Sequence, residues 1–257
     1  MRLTKWAAMA ASLIICGVAV GWLVCQDRNQ TKAGMHQRLG LPIVEVRPKS
    51  AVMDQMAVLI SGDGGWADID RKIAAGLADK GIPVVGLNAL KYFLTPRTPD
   101  SSTKDLTRLI DHYRYTWQKK KVILMGYSLG ADVLPFMAAR LPDDLHRKVT
   151  LIALLAPSRQ TAFEFHLSDW MGGADPVDQL PTRPEVYKLK DTLLLCFYGK
   201  VEKESLCRDR LPNNVTVIPM SGGHHFDRNY ASIVKQILQA LNKDAGNRLT
   251  RKFVTFR

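Results

Sequence analysis

From Leu41 onward, apolar runs of strand length alternate with segments of helical spacing, and this alternation limits the chain to few architectures. The strand candidates are Met56–Ser61, Pro83–Asn88, Lys121–Gly126, Val149–Leu155, Thr192–Tyr198 and Val215–Pro219, with an earlier one near Ile43–Arg47. Between them, Ile69, Ile73 and Leu77 share one helical face that stops at Gly81. Leu106, Leu109, Ile110, Tyr113 and Trp117 share another, behind a cap signal at Ser102–Asp105. Tyr230, Ile233, Val234, Ile237, Leu238 and Leu241 form a terminal stripe. Strands and helices in alternation build a mostly parallel sheet with crossover helices on both faces, an α/β fold. A chain of 257 residues holds one such domain, assigned to residues 41–245.

The segment before that domain has a different character. Arg2 and Lys5 precede an uncharged apolar run from Trp6 to Val24, and charge returns at Asp27. A basic flank followed by such a run reads as a signal peptide or membrane anchor, residues 1–25, ahead of a polar tether, 26–40. Residues 246–257 read as a basic C-terminal tail. An exported protein is therefore expected, with an uncleaved membrane anchor as the alternative to cleavage. The net charge of +12 favours anionic partners, the inner-membrane surface among them. No RNA- or DNA-binding motif accompanies that charge, so nucleic acid is not an expected partner. Beyond the leader only Cys196 and Cys207 remain, and in an oxidising compartment they are expected to form a disulfide.

Gly126-Tyr127-Ser128-Leu129-Gly130 follows the apolar run Lys121–Met125 and precedes a helical segment from Ala131. Strand, tight turn and helix around G-x-S-x-G is the setting of a nucleophile elbow, so Ser128 is the candidate nucleophile of an α/β-hydrolase fold. A serine hydroxyl needs a base, and the loop after the last strand supplies His224, with His225 as the alternative. The base needs an acid to orient it. Glu202 in Gly199-Lys200-Val201-Glu202 follows the preceding strand, with Glu204 and Asp169 as alternatives. Serine, acid and histidine then run along the chain in the hydrolase order.

Such a site also needs donors for an oxyanion. The amide of Leu129 follows the nucleophile, and the loop Ser61-Gly62-Asp63-Gly64-Gly65-Trp66 follows the first core strand, with Gly64 and Gly65 as its candidate donors. Asp63 brings negative charge to the same mouth and suits a cationic substrate group, as does Asp169. Trp66 and Tyr92 are candidate walls of the substrate site. Asp68 and Asp70 read as helix caps. The chemistry needs no cofactor, and no ligand set with metal spacing appears.

Taken together, Ser61–Trp66, Lys91-Tyr92-Phe93, Gly126–Phe136, Phe163–Trp170 and Gly222–Asp227 resemble the VirJ/AcvB family of bacterial virulence proteins, in its short VirJ form. The resemblance implies a periplasmic α/β-hydrolase that releases lysine from lysyl-phosphatidylglycerol, an aminoacylated anionic phospholipid. It further implies a link to type IV secretion, with secreted virulence proteins or secretion components as partners. It carries Ser128 and the His224/His225 pair over to this chain and leaves the acid open, since Glu202 stands where an aspartate is expected. A second function class is a binding or chaperone module on a hydrolase scaffold, and a third is a general esterase.

Overall fold

The computed structural model describes residues 39–49, 53–164 and 179–254. The expected leader and nearly all of the tether, together with Asp169, lie outside the described residues. The chain divides into two units, Met1–Leu41 and Pro42–Arg257, and the second carries the fold described below.

Seven strands form its sheet: β1 (Ile43–Val46), β2 (Gln55–Ile60), β3 (Val84–Leu87), β4 (Lys121–Tyr127), β5 (Val149–Leu155), β8 (Leu194–Gly199) and β9 (Val215–Met220). Their order is β1-β3-β2-β4-β5-β8-β9, with β1 antiparallel to β3 and every other pair parallel. The strands β6 (Gln160–Thr161) and β7 (Leu180–Pro181) form a separate antiparallel ribbon. The central strands are continuous apolar runs because helices cover both of their faces. In β4 only Lys121 is exposed, and all of β5 is buried. β9 lies at the edge, where Pro219 removes a donor that a central strand would need.

The helices are α1 (Asp68–Ala78), α2 (Ala89–Phe93), α3 (Pro99–Thr116), α4 (Leu129–Ala138), α5 (Asp143–His146), α6 (Thr182–Lys188) and α7 (Tyr230–Val254). One core forms where Ala57, Leu59, Ile123 and Met125 of the sheet meet Ile73 and Leu77 of α1 and Ile233 and Ile237 of α7. Side chains alternate along a strand, so Val58, Ile60 and Leu124 turn to the opposite face. There α4 lies against β2, β4 and β5, and α3 and α6 pack on α4. Helix α3 begins earlier than the Ser102–Asp105 signal indicates. Thr98 and Ser101 close a capping box around Pro99, whose fixed φ suits a first helical turn. Helix α7 runs on to Val254, into the stretch expected as a tail.

Candidate active site

Ser128 stands alone between the last residue of β4 and the first of α4, with φ 52° and ψ −123°. That left-handed backbone costs a non-glycine residue roughly 1–2 kcal/mol and is held by the packing around it. Both motif glycines are sterically required. A Cβ at Gly126 would lie 2.2 Å from the Gly130 carbonyl oxygen, and one at Gly130 would lie 2.2 Å from the Ile60 carbonyl oxygen. The Ser128 carbonyl accepts from the amides of Ala131 and Asp132 at 2.7 and 3.0 Å, which starts α4. The Leu129 amide, in that first turn, has no intrahelical acceptor and is available to an anion.

His224 Nε2 lies 2.9 Å from Ser128 Oγ, and its Nδ1 lies 2.7 Å from Glu202 Oε1. The second oxygen of Glu202 accepts the Gly199 amide at 2.7 Å, while the Glu202 amide donates to the Gly199 carbonyl at 2.9 Å. Glu202 is thus fixed to the end of β8 by two reciprocal bonds. Its side chain is 18% exposed against 42% for His224, so the carboxylate is shielded while the imidazole faces the cleft. The Cys196–Cys207 disulfide joins β8 to the far end of the Glu202 loop. A Cβ at Gly199 would sit 2.3 Å from the Gly223 carbonyl oxygen, so its absence lets the acid and histidine loops touch.

The alternatives fall elsewhere. Glu204 is exposed and pairs with Arg159, away from His224. His225 is exposed, with Nδ1 2.9 Å from the Tyr127 hydroxyl. The same hydroxyl lies 3.3 Å from the His224 carbonyl oxygen, so Tyr127 supports the histidine loop from beneath. Burial, with the neighbouring Tyr230 and Asp70, holds that phenol well above its ordinary pKa, and it stays protonated. The role of Tyr127 was not legible in the sequence, where it occupies the variable position of G-x-S-x-G.

The loop after β2 is arranged differently from the expectation. The Gly65 amide donates to the Gly62 carbonyl at 3.0 Å, and the Gly64 amide donates to Asp63 Oδ1 at 3.0 Å. Both expected oxyanion donors are therefore occupied in closing their own turn. Gly62 is the residue of this loop that meets the nucleophile: a Cβ there would lie 3.2 Å from Ser128 Cβ. Trp66 does not wall the site either. Its ring fills the space beside Gly86, where a Cβ would be 2.1 Å from the indole. Tyr92 is 1% exposed and its hydroxyl bonds Asp105 at 2.8 Å, which makes it a core residue. Asp68 pairs with Lys72 at 2.9 Å, and Asp70 accepts the Ala67 amide at 2.9 Å.

A cleft of about 790 Å³ opens over Ser128 and His224, bounded by Gly62, Asp63, Tyr127 and Arg228. Among the described residues no group of His, Cys, Asp and Glu is gathered as a metal site. Behind the elbow, buried Asp132 accepts the Ser158 amide, and burial pushes its carboxyl up to about 8.

The sequence profile of the family described as bacterial virulence protein (VirJ) matches residues 54–245. The chain belongs to the VirJ family. This VirJ-family domain resembles solved α/β-hydrolase structures. Similarity to MenH from S. aureus covers 79% of this chain and 98% of that one, at 15% identity and a TM-score of 0.58. Est1E from Butyrivibrio proteoclasticus, solved with ferulic acid, matches 79% of this chain and 96% of its own at 12% identity and TM-score 0.55. An alpha-beta serine hydrolase homologue from Coxiella burnetii matches 77% of this chain and 89% of its own at 15% identity and TM-score 0.53. No curated relative matches by sequence. Identities this low establish the α/β-hydrolase fold, and the chemistry must be argued from the site.

Proposed function

We propose that this VirJ-family protein is a periplasmic serine hydrolase that cleaves the aminoacyl ester of lysyl-phosphatidylglycerol. The observation that carries the reading is the hydrogen-bonded chain from Glu202 through His224 to Ser128, opening onto the cleft. His224 Nε2 takes the proton of Ser128 Oγ as that oxygen attacks the lysyl carbonyl. The carbonyl oxygen becomes an oxyanion facing the Leu129 amide. The tetrahedral centre collapses, the glycerol oxygen leaves with the proton from His224, and lysine stays as an ester of Ser128. Water, activated by the same histidine, releases lysine and restores the serine. Glu202 holds the imidazole in the tautomer that accepts at Nε2 and stabilises its charged form.

The substrate class rests on charge and on family. Asp63 lies at the cleft mouth, where it suits the lysyl ammonium. A basic protein exported behind an apolar leader works close to an anionic bilayer, where this lipid resides. A link to type IV secretion is part of the same proposal, and membership of a virulence family is what supports it.

The test presents the full chain and its Ser128→Ala variant with lysyl-phosphatidylglycerol vesicles and measures free lysine over time. Release by the parent alone is the expected result. Release by neither, with both folded, sinks the lysyl-phosphatidylglycerol reading and favours a binding module for secreted substrates or a different ester.

A further inference from the structure

The cleft over Ser128 does not end at the histidine loop. Lys72, Arg228 and Tyr230 line it, and the same three residues line a second hollow of about 630 Å³. This hollow is a groove between α1 and α7, and Gly76, Val234 and Leu238 give it an apolar floor. Gly76 and Val234 are closely apposed: a Cβ on Gly76 would lie 3.0 Å from Val234 Cγ2. Lys80, Lys235 and Asp79, all exposed, also line it and leave its edge with a net positive charge. The cleft that holds Ser128 and Asp63 therefore meets, across a cationic junction, an apolar channel whose edge carries a net positive charge.

The junction is a built feature. Phe226, Asp227 and Arg228 have φ of 53°, 48° and 58°, three consecutive left-handed residues of which none is glycine. Such a run is unfavourable for L-residues and persists only where the surroundings impose it. Gly222 allows the turn, since a Cβ there would lie 2.1 Å from Asp227 Oδ1. The turn sets Arg228 at the start of α7, where the two hollows meet. Arg228 makes no ion pair among the described residues. Beside it, Lys72 lies over the Tyr230 ring at 5.8 Å while it pairs with Asp68.

We propose that Lys72 and Arg228 form a subsite for the phosphodiester of a glycerophospholipid whose ester carbonyl sits at Ser128 and whose acyl chain lies in the α1–α7 groove. The proposal rests on the hydrolase reading of Ser128 and adds residues that select an anionic lipid. The succession of cleft, junction and channel matches the order of groups in such a molecule. A cationic aminoacyl group comes first, then a glycerol spacer, then the anionic phosphodiester, then a hydrocarbon chain. A guanidinium and an ammonium together suit a phosphate oxygen pair. The apolar floor suits the chain, and the net positive edge suits the surface of an anionic bilayer from which the lipid is drawn.

The test is direct binding, which needs no turnover. The full chain carrying Ser128→Ala, held in neutral phosphatidylcholine nanodiscs, is titrated with dihexanoyl-phosphatidylglycerol and with glycerophosphoglycerol, the same headgroup without chains. The expected result is binding of both, with the lipid tighter. Adding Lys72→Ala and Arg228→Ala together weakens both by about tenfold, a combined loss of about 1.4 kcal/mol for the two cations. Adding Leu238→Gln weakens only the lipid. All three positions are exposed or half-buried, so the fold tolerates these changes. Equal binding of the two ligands overturns the groove. Undiminished binding by the double variant overturns the phosphodiester subsite, and no lipid binding overturns both. Lipid binding without lysine release by the parent protein sinks the hydrolase reading and leaves this subsite standing. Turnover of a phosphate-free lysyl ester without lipid binding does the reverse.

Discussion

Glu202 meets Nδ1 of His224 at 2.7 Å with one carboxylate oxygen while the other is held by the Gly199 amide. The carboxylate therefore has little freedom to rotate and presents an acceptor to the imidazole. Glu202→Gln places an amide in this position, and an amide nitrogen turned toward Nδ1 favours the wrong tautomer. We expect kcat on a lysyl ester to fall about 10³–10⁴-fold with little change in KM. Glu204→Gln, on a carboxylate that faces Arg159, serves as the control and should leave both constants near parent values. Equal losses in the two variants would sink the assignment of the acid.

The two adjacent histidines give a sharper separation. His224 touches Ser128, whereas His225 touches Tyr127. His224→Ala should abolish labelling of Ser128 by a fluorophosphonate, followed by mass spectrometry of the peptide. His225→Ala should slow labelling by no more than about tenfold, the cost of one lost supporting contact. The reverse order would transfer the role of base to His225.

The sheet and the hydrogen-bonded chain from Glu202 through His224 to Ser128 are readable in the sequence for the same reason: each rests on local signals. Central parallel strands are unbroken apolar runs, and the serine elbow carries its own glycines. The expectations fail where the outcome depends on how a loop closes or on a partner elsewhere in the fold. Gly64 and Gly65 look like free donors until the turn closes and their amides bond Asp63 and Gly62. Trp66 looks like a cleft wall, but Gly86 on a neighbouring strand leaves a gap that its ring fills. Tyr92 looks similar until Asp105, on another helix, captures its hydroxyl. The left-handed turn Phe226–Arg228 contains no glycine, so nothing in the sequence announces it.

On the hydrolase reading, the disulfide ties stability to the position of Glu202. Cys196 lies within β8 and Cys207 just beyond the Glu202 loop, eleven positions on. Replacing both by alanine should cost about 2–4 kcal/mol, a fall in Tm of several degrees. Releasing one end of the loop should also lower kcat more than KM rises, because Glu202 would sample positions away from His224. A variant with lowered Tm and parent-like kcat at a temperature where it is fully folded would confine the bridge to stability.

Two buried carboxyls near the elbow set a pH dependence whose sign can be worked out. Burial pushes Asp132 up to about 8 and Asp70 up to about 7. In the unfolded chain both titrate near the ordinary carboxylate value of about 4. Between these limits the folded state binds more protons than the unfolded state, so stability declines as pH rises. Their contribution is complete below about pH 4 and is lost through the range up to about pH 8. Thermal melting of the parent should therefore fall from pH 5 to pH 8.5, by about the amount these two groups contribute. Asp132→Asn keeps a carbonyl oxygen for the Ser158 amide and removes the charge. It should raise Tm at the alkaline end and flatten the profile, and Asp70→Asn should do so to a smaller extent. A parent Tm that rises across this window, or an Asp132→Asn profile parallel to the parent, would refute the account.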